Sequence, residues 1–139
     1  MSETELTRGE LAKLGGVNRE TIRFYERNGL LPEPLRSTSG YCLFTPATVR
    51  RVRFIKRAQA VGFSLNEIKR LLELQTAPDA TRGDVRLLVE AKVADIDEKL
   101  AALHAMRHAL LKLLDICPGD AGSVHDCPIL DSLEDEDGL

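Results

Sequence analysis

Two cysteines in the last part of the chain have the residue type and the spacing to bind a soft metal ion. Cys117 and Cys127 flank a segment rich in glycine, which can fold back and bring the two sulfur atoms together. Thiolates select soft d¹⁰ ions, and a pair of them suits linear coordination of Cu(I), Ag(I), Au(I) or Hg(II). His125 could add a nitrogen ligand and admit Zn(II), although a single loop histidine is more often solvated.

Other chemistry for the same pair stays open. A structural disulfide is disfavoured in a reduced cytosol, but a redox switch or an organic-ligand sensor is compatible with these residues, and so is an inert tail. His104 and His108 are four residues apart on a predicted helix, where we expect them to be solvated. The cysteines do not form a C-x-x-C motif and no glycine-rich phosphate loop occurs, so we do not expect an enzyme.

A short amphipathic helix in the first third of the chain carries residues that can read DNA. Asn18 is a good N-cap and Gly29 can end the helix, which predicts a helix over residues 19–28. Ile22 and Leu30 can face a core. The opposite face then offers four side chains to phosphates and base edges, namely Arg19, Thr21, Arg23 and Tyr25.

The elements around this helix predict a winged helix-turn-helix. Thr7 and Glu10 have the spacing of a capping box that opens a preceding helix, and Gly15-Gly16 make the turn. A turn-rich stretch after the second helix leads into a short β-prone segment, which predicts a wing along the DNA backbone. The candidate DNA contacts of the wing are Arg36, Ser39, Gly40 and Tyr41.

The charge of the chain is divided between two halves. The net charge is −3, yet residues 1–71 hold thirteen Lys and Arg against seven Asp and Glu, whereas residues 72–139 hold six against fifteen. A basic half attracts DNA and an acidic half is repelled by it. A predicted helix after Thr45-Pro46 concentrates five positive side chains, of which Arg51 and Lys56 are our candidate phosphate contacts: Arg50, Arg51, Arg53, Lys56 and Arg57.

A long helix with a heptad stripe is predicted over residues 84–115, which lack proline and glycine. Its apolar residues recur at steps of three and four, with one interruption at Arg107. Such a helix cannot bury its stripe within so small a domain, and the most economical partner is a second copy of the chain in a homodimer. The alternative is that the helix folds back on its own N-terminal domain. The stripe consists of Val89, Val93, Ile96, Leu100, Leu103, Leu110 and Leu114.

Together these motifs resemble the MerR family of transcriptional regulators over nearly the whole chain. The resemblance lies in E-T-I-R-F-Y-E-R-N-G-L-L-P, the wing S-G-Y, T-P-A-T-V-R-R-V-R-F-I-K-R-A-Q, and G-F-S-L-N-E-I from Gly62. The elements C-P-G-D and D-C-P-I around the two cysteines are similar to those of the family's metal sensors. Cys42 is a departure, because many members carry a basic residue after the wing Gly-Tyr.

The resemblance implies a mainly α fold, with a winged helix-turn-helix domain over residues 1–75 and a linker over 76–83. A dimerisation helix over 84–116 would form an antiparallel coiled coil, followed by a metal-binding loop and tail over 117–139. It implies a regulator on double-stranded, inverted-repeat promoter DNA, which distorts that DNA so that RNA polymerase can engage it. The alternative is a purely architectural DNA binder without metal sensing, which differs in that no ligand alters promoter output.

The resemblance also bears on which metal is sensed. Divalent sensors of the family take a further thiolate from near the start of the partner's long helix, where the matching position here is Arg82. The absence of this further thiolate favours a monovalent ion such as Cu(I) or Ag(I). Hg(II) also accepts two thiolates, and Zn(II) is disfavoured. Arg82 could balance the charge of a bis-thiolate complex from a second shell. With no run of about eighteen apolar residues and no signal peptide, we expect a cytoplasmic protein without a membrane partner.

Overall fold

Two units make up the chain, an N-terminal unit that extends to Val89 and a C-terminal unit that begins at Glu90. The computed structural model describes residues 5–135. Helices dominate both units, which confirms the predicted mainly α class. In chain order the elements are α1 (Arg8–Gly15), α2 (Arg19–Arg27), β1 (Leu35–Arg36), β2 (Cys42–Leu43), α3 (Pro46–Ala60), α4 (Leu65–Thr76), α5 (Arg82–Ile116), a 3₁₀ turn (Val124–Asp126) and α6 (Pro128–Glu134).

The first helix begins at the predicted capping box. The Glu10 N–H donates to the Thr7 hydroxyl at 3.2 Å, and the Thr7 N–H donates to the Glu10 carboxylate at 2.9 Å. These hydrogen bonds with Thr7 hold the pKa of Glu10 below its usual value. The box satisfies backbone donors that a helix N-terminus otherwise leaves unpaired, so the start of α1 is encoded locally.

The turn between α1 and α2 depends on two glycines for different reasons. Gly16 has a φ of +74°, in the left-handed region that favours glycine. Gly15 lies against α3, where an added Cβ would be 2.5 Å from a methyl carbon of Val52. Gly15 therefore permits close packing, and Gly16 permits the turn.

The wing is a two-stranded antiparallel hairpin, as predicted. Leu35 pairs with Leu43 across β1 and β2. A further bridge joins Leu6, just before α1, to Phe44, with reciprocal backbone hydrogen bonds of 2.8 and 2.7 Å. The base of the wing is thereby attached to the start of the helix-turn-helix.

One hydrophobic core holds the N-terminal unit together. Apolar side chains from α1, α2, α3 and α4 and from the base of the wing meet in it. The largest fully buried side chains are Tyr25, Leu11, Ile22, Leu30, Ile55, Ile68 and Val52. Burial on this scale is the main stabilising contribution to a domain of this size, so the core fixes where α2 and the wing lie.

The fourth and fifth helices also begin at capping residues. Ser64 and Glu67 form the second predicted capping box at the start of α4. The helix α5 begins at Arg82, two residues earlier than we predicted, because Thr81 caps it. The Asp84 N–H donates to the Thr81 hydroxyl at 3.1 Å, and the Thr81 N–H donates to the Asp84 carboxylate at 2.9 Å.

The C-terminal unit consists of the rest of α5, the cysteine loop and α6. Two side chains of α5 are buried, Lys92 and Leu113. Asp95 pairs with Lys99 at 3.0 Å and with Lys92 at 3.4 Å, which holds the pKa of Asp95 below its usual value. Between residues 5 and 135 no helix has the length and apolar character that crossing a membrane requires.

Candidate nucleic-acid interface and metal-binding loop

The helix α2 has the boundaries and the polar face expected of a DNA-reading helix. The Asn18 side chain accepts a hydrogen bond of 2.8 Å from the Thr21 N–H, and Gly29, with a φ of +69°, follows the helix end. Arg19 and Arg23 are exposed, and Thr21 is half-buried. The Arg23 guanidinium pairs with Glu20 at 2.7 Å in a solvent-exposed ion pair. Such pairs contribute little to stability, so Arg23 can exchange its partner for DNA.

Tyr25 is the predicted DNA contact that the structure contradicts. Its side chain is 1% exposed, and its hydroxyl donates to the Gln59 side chain on α3 at 2.8 Å. Burial raises the pKa of Tyr25 above its usual value. The physical reason was already in the sequence, because residues 22 and 25 are three apart and share one helix face. The face that buries Ile22 buries Tyr25 as well.

The wing presents its candidate residues at the end of the hairpin. Ser39, Gly40 and Tyr41 are exposed, and Gly40 has a φ of +84°. The Arg36 guanidinium donates to the Gly40 carbonyl at 3.2 Å, and the Tyr41 N–H donates to the Ser37 hydroxyl at 3.1 Å. The wing therefore carries a cation and an aromatic ring beside solvent-facing backbone, as a DNA-backbone contact requires.

A cluster around Arg8, which no local sequence motif predicts, links α2 to the base of the wing. The Arg8 guanidinium forms two hydrogen bonds with the Glu26 carboxylate, of 2.9 and 3.0 Å, and lies 5.9 Å from the ring centroid of Phe44. The hydrogen bond with Glu26 holds the pKa of Arg8 above its usual value, and the Cys42 thiol adds to the shift. Because these partners are 18 to 36 residues apart, no local motif predicts them. Cys42 is half-buried here, as we expected of a packed residue.

Three of the five positive side chains of α3 have acceptors within the protein. Arg51 donates to the Leu30 carbonyl at 2.9 Å, and Lys56 donates to the Gly16 carbonyl at 2.6 Å. Arg53 donates to the Leu14 carbonyl at 3.0 and 3.3 Å. Arg51 and Lys56, our candidate phosphate contacts on this helix, thus bond backbone carbonyl groups of the helix-turn-helix.

The two predicted metal ligands line one small cavity in the C-terminal unit. Cys117 follows the end of α5 and Cys127 precedes α6, and both are half-buried free thiols. They border a cavity of about 260 Å³ whose other walls come from the loop between them and from Pro128 at the start of α6. The loop folds back through a left-handed Gly119 and an Asp120 carboxylate that accepts the Gly122 N–H at 2.9 Å. Two thiols on one cavity are a donor set that fits a soft metal ion.

Family models match this chain over most of its length. The model for the MerR helix-turn-helix regulatory proteins matches residues 6–75, and the model for the MerR DNA-binding region matches residues 49–113. The chain belongs to the MerR family. This MerR chain is therefore a DNA-binding transcriptional regulator, and the predicted family is confirmed.

Individual relatives of this MerR chain include regulators of metal resistance. The mercuric resistance operon regulatory protein of Bacillus cereus is 42% identical, with 90% of this chain and 94% of that protein covered. The transcriptional regulator CueR of Escherichia coli is 37% identical, with 89% of this chain and 90% of that protein covered.

Among solved structures, PbrR691 of Ralstonia metallidurans in complex with lead(II) is 38% identical, with a TM-score of 0.84. That comparison covers 92% of this chain and 98% of PbrR691. MerR of Bacillus megaterium in complex with mercury(II) is also 38% identical, with a TM-score of 0.72, and 94% of this chain and all of that one are covered.

His125 and Arg82, the other candidate participants in metal binding, are exposed in this MerR chain, as are the two histidines that we expected to be solvated. His125 is exposed in the 3₁₀ turn, where its N–H donates to the Ser123 hydroxyl at 3.2 Å. Arg82 is exposed at the first position of α5, and His104 and His108 are exposed further along that helix. Between residues 5 and 135, no group of three or more His, Cys, Asp or Glu side chains is placed so that it could hold a metal ion.

Proposed function

We propose that this MerR regulator senses a soft, thiophilic metal ion with Cys117 and Cys127 and activates a metal-resistance promoter by distorting its DNA. The observation that carries the proposal is that these two free thiols, from opposite ends of one loop, border the same cavity. Regulators named for mercury resistance and structures with bound lead(II) or mercury(II) are among the relatives, which supports a metal as the signal.

The donor set favours an ion that is content with two ligands. Two thiolates suit linear Cu(I), Ag(I) or Au(I), and Hg(II) also accepts this geometry, whereas Zn(II) prefers four ligands. The nearest histidine, His125, is exposed to solvent rather than lining the cavity. Arg82 in the second shell would compensate the negative charge of a bis-thiolate site.

The DNA-binding side of the proposal uses α2 and the wing. Arg19, Thr21 and Arg23 would contact bases and phosphates in the major groove, and Arg36 with the exposed residues Ser39, Gly40 and Tyr41 would contact the flanking backbone. The heptad stripe of α5 would pair two chains in an antiparallel coiled coil. Such a homodimer would act in the cytoplasm on an operator that is an inverted repeat. Distortion of the operator DNA would let RNA polymerase engage the promoter.

The test combines metal titration with promoter output. The reduced protein is titrated with Cu(I), Ag(I), Hg(II), Zn(II) and Pb(II) against competing chelators, and transcription from its promoter is measured with each ion. We expect tight binding of one soft ion per loop and induction by it. The double variant Cys117→Ser/Cys127→Ser should keep operator binding and lose induction, and Cys42→Ser, the matched control, should keep both. Induction of the double variant by metal would overturn the proposal.

Redox sensing is the second candidate, because two free thiols on one cavity could also form a disulfide. A thiol oxidant applied without metal separates the two candidates. Induction by the oxidant alone, with a Cys117–Cys127 disulfide found by mass spectrometry, would favour redox sensing. Induction by metal under reducing conditions would favour the metal.

A further inference from the structure

The helix α3 carries five positive side chains, and three of them donate hydrogen bonds to backbone carbonyl groups of the helix-turn-helix. Arg53 and Lys56 reach the carbonyl groups of Leu14 and Gly16, at 3.0 and 2.6 Å. Arg51 reaches the carbonyl of Leu30 at 2.9 Å. A cation bound to a backbone carbonyl forms a charge-assisted hydrogen bond, which is stronger than a neutral one.

The acceptors lie at the two ends of the recognition helix. Leu14 and Gly16 are at the C-terminal end of α1, which leads into α2, and a helix C-terminus leaves carbonyl groups without partners and favours positive charge. The Gly16 and Val17 N–H groups donate to the carbonyls of Lys13 and Ala12, at 3.3 and 2.9 Å. Arg53 supplies the Leu14 carbonyl with a partner of its own. Beyond the other end of α2, Arg51 does the same for Leu30.

Further contacts with α3 hold the middle of α2 and the turn. The Tyr25 hydroxyl donates to Gln59 at 2.8 Å, and Gly15 packs against Val52 so closely that an added Cβ would overlap it. With nine residues, α2 is too short to be stable or oriented by itself, so its position depends on such tertiary contacts. Base recognition is sensitive to that position, because hydrogen bonds weaken steeply when donor and acceptor are misaligned.

We infer that Arg51, Arg53 and Lys56 are positioning residues, here named the α3 clamp, which set the orientation of the recognition helix and thereby the sequence specificity of the regulator. In this assignment their charge is directed to backbone carbonyl groups of the protein and not to DNA phosphates. The inference replaces our sequence-based expectation for Arg51 and Lys56. It concerns DNA reading only and is independent of which signal the cysteine loop senses.

The experiment compares positive residues that belong to the clamp with positive residues of α3 that do not. Arg53→Met and Lys56→Met each remove one charge and keep most of the aliphatic stem. Arg50→Met and Arg57→Met remove the same charge from the same helix and are the matched controls. All four residues are exposed, and the two pairs differ in the hydrogen bonds that Arg53 and Lys56 form with carbonyl groups. Affinity is measured for an operator duplex selected from random-sequence DNA and for a scrambled duplex, over a range of KCl concentrations.

Positioning and phosphate contact give different results. If the clamp orients α2, Arg53→Met and Lys56→Met lower the operator-to-scrambled affinity ratio on the order of tenfold, with an unchanged slope of log K against log[KCl]. A phosphate contact would instead weaken both duplexes in parallel and reduce the magnitude of the slope by about one. That result, or an unchanged affinity ratio, would overturn the inference.

A general loss of folding is separated from positioning by two further measurements. Thermal unfolding identifies any variant that is partly unfolded at the assay temperature, and binding is then measured well below its Tm. Reduced folding alone would scale both affinities equally and leave their ratio unchanged, which would count against the inference. Arg53→Lys, which retains a donor for the Leu14 carbonyl, should recover part of the lost ratio.

Discussion

The two units of this MerR regulator place their apolar residues in opposite ways. In the N-terminal unit, apolar side chains from four helices and the wing are enclosed in one core. On α5, the heptad stripe is exposed along its length, from Ile96 at 39% to Leu114 at 64%. Exposed stripes of this extent mark interaction surfaces. The core of the N-terminal unit is thus completed within one chain, whereas the stripe of α5 remains exposed and is the surface that we propose pairs with a second chain.

The two units also differ in the sequence separation of the residues that their polar contacts join. In the N-terminal unit some of them join distant segments, as Arg8 joins Glu26 and Arg53 joins Leu14, beside local pairs such as Arg23 with Glu20. On α5, Asp95 pairs with lysines three and four residues away on its own helix. Local pairs of this kind support a helix but orient nothing else. The long-range contacts of the N-terminal unit are thus available to orient α2 within one chain, whereas the local pairs of α5 leave its exposed stripe free for the pairing that we propose.

The largest effect should come from a charge in the stripe. Leu103→Asp places a carboxylate where a second chain must pack, so we expect the dimer to dissociate at micromolar concentration. Operator affinity should fall by at least about a hundredfold, because simultaneous binding of two half-sites is lost. Sedimentation measures the dissociation, and circular dichroism should still show a folded N-terminal unit.

The control for this change is Ala105→Asp, which adds the same charge on the opposite face of α5. It should leave both the dimer and the operator affinity unchanged. Equal effects of the two substitutions would show that the exposed stripe is not the dimer interface. A monomeric Leu103→Asp variant that binds the operator normally would contradict the requirement for two paired recognition helices.

A smaller effect is expected from the DNA-facing surface of the N-terminal unit. Arg23→Ala should weaken operator binding by about 10- to 100-fold, which corresponds to the 1–3 kcal/mol of a direct base contact. Glu20→Gln removes the ion-pair partner of Arg23 and should leave affinity unchanged or slightly raised. Fluorescence anisotropy with a labelled operator measures both. Weaker binding by Glu20→Gln together with normal binding by Arg23→Ala would place the recognition surface elsewhere.

Local signals in the sequence predicted the elements of this chain well. The capping residues Thr7 and Ser64 and the glycine after α2 predicted helix ends, because caps and left-handed glycines act within a few residues. The loop between the cysteines is predicted to fold back, and both cysteines border one cavity, while their joint binding of a metal ion stays a prediction. The loop is short, so its closure also depends on residues that are close together in the sequence.

Contacts between distant segments were not predictable in the same way. Arg8 with Glu26, and Arg53 with Leu14, depend on how separate helices pack, and a positive residue on a helix face gives no sign of which acceptor it will find. Such a side chain can donate to solvent, to a phosphate or to a backbone carbonyl. Tyr25 differs from these, because its spacing from Ile22 predicts burial, whereas its aromatic ring alone suggests the DNA contact that the structure contradicts.

The smallest effect in this series comes from one oxygen atom in the core of the N-terminal unit. Tyr25→Phe removes the hydrogen bond to Gln59 and keeps the ring, so the free energy of unfolding should fall by about 0.5–1.5 kcal/mol. The salt dependence of DNA binding should not change, because a buried side chain contacts no phosphate. If DNA binding by Tyr25→Phe depended less steeply on salt concentration than binding by the wild type, Tyr25 would have to contact DNA.

The pH dependence of stability provides an independent check on the same residue. Since burial raises the pKa of Tyr25, the unfolded chain loses this proton near its usual pKa of about 10 while the folded chain keeps it. The stability that the protonated group contributes is complete below that pH and is lost as the pH rises toward the folded-state value. Denaturant unfolding of the wild type and of Tyr25→Phe should therefore give curves that converge above about pH 10. A constant difference across that range would mean that the phenol is solvated in the folded protein. The core of the N-terminal unit would then lack the buried hydrogen bond that we assign to Tyr25.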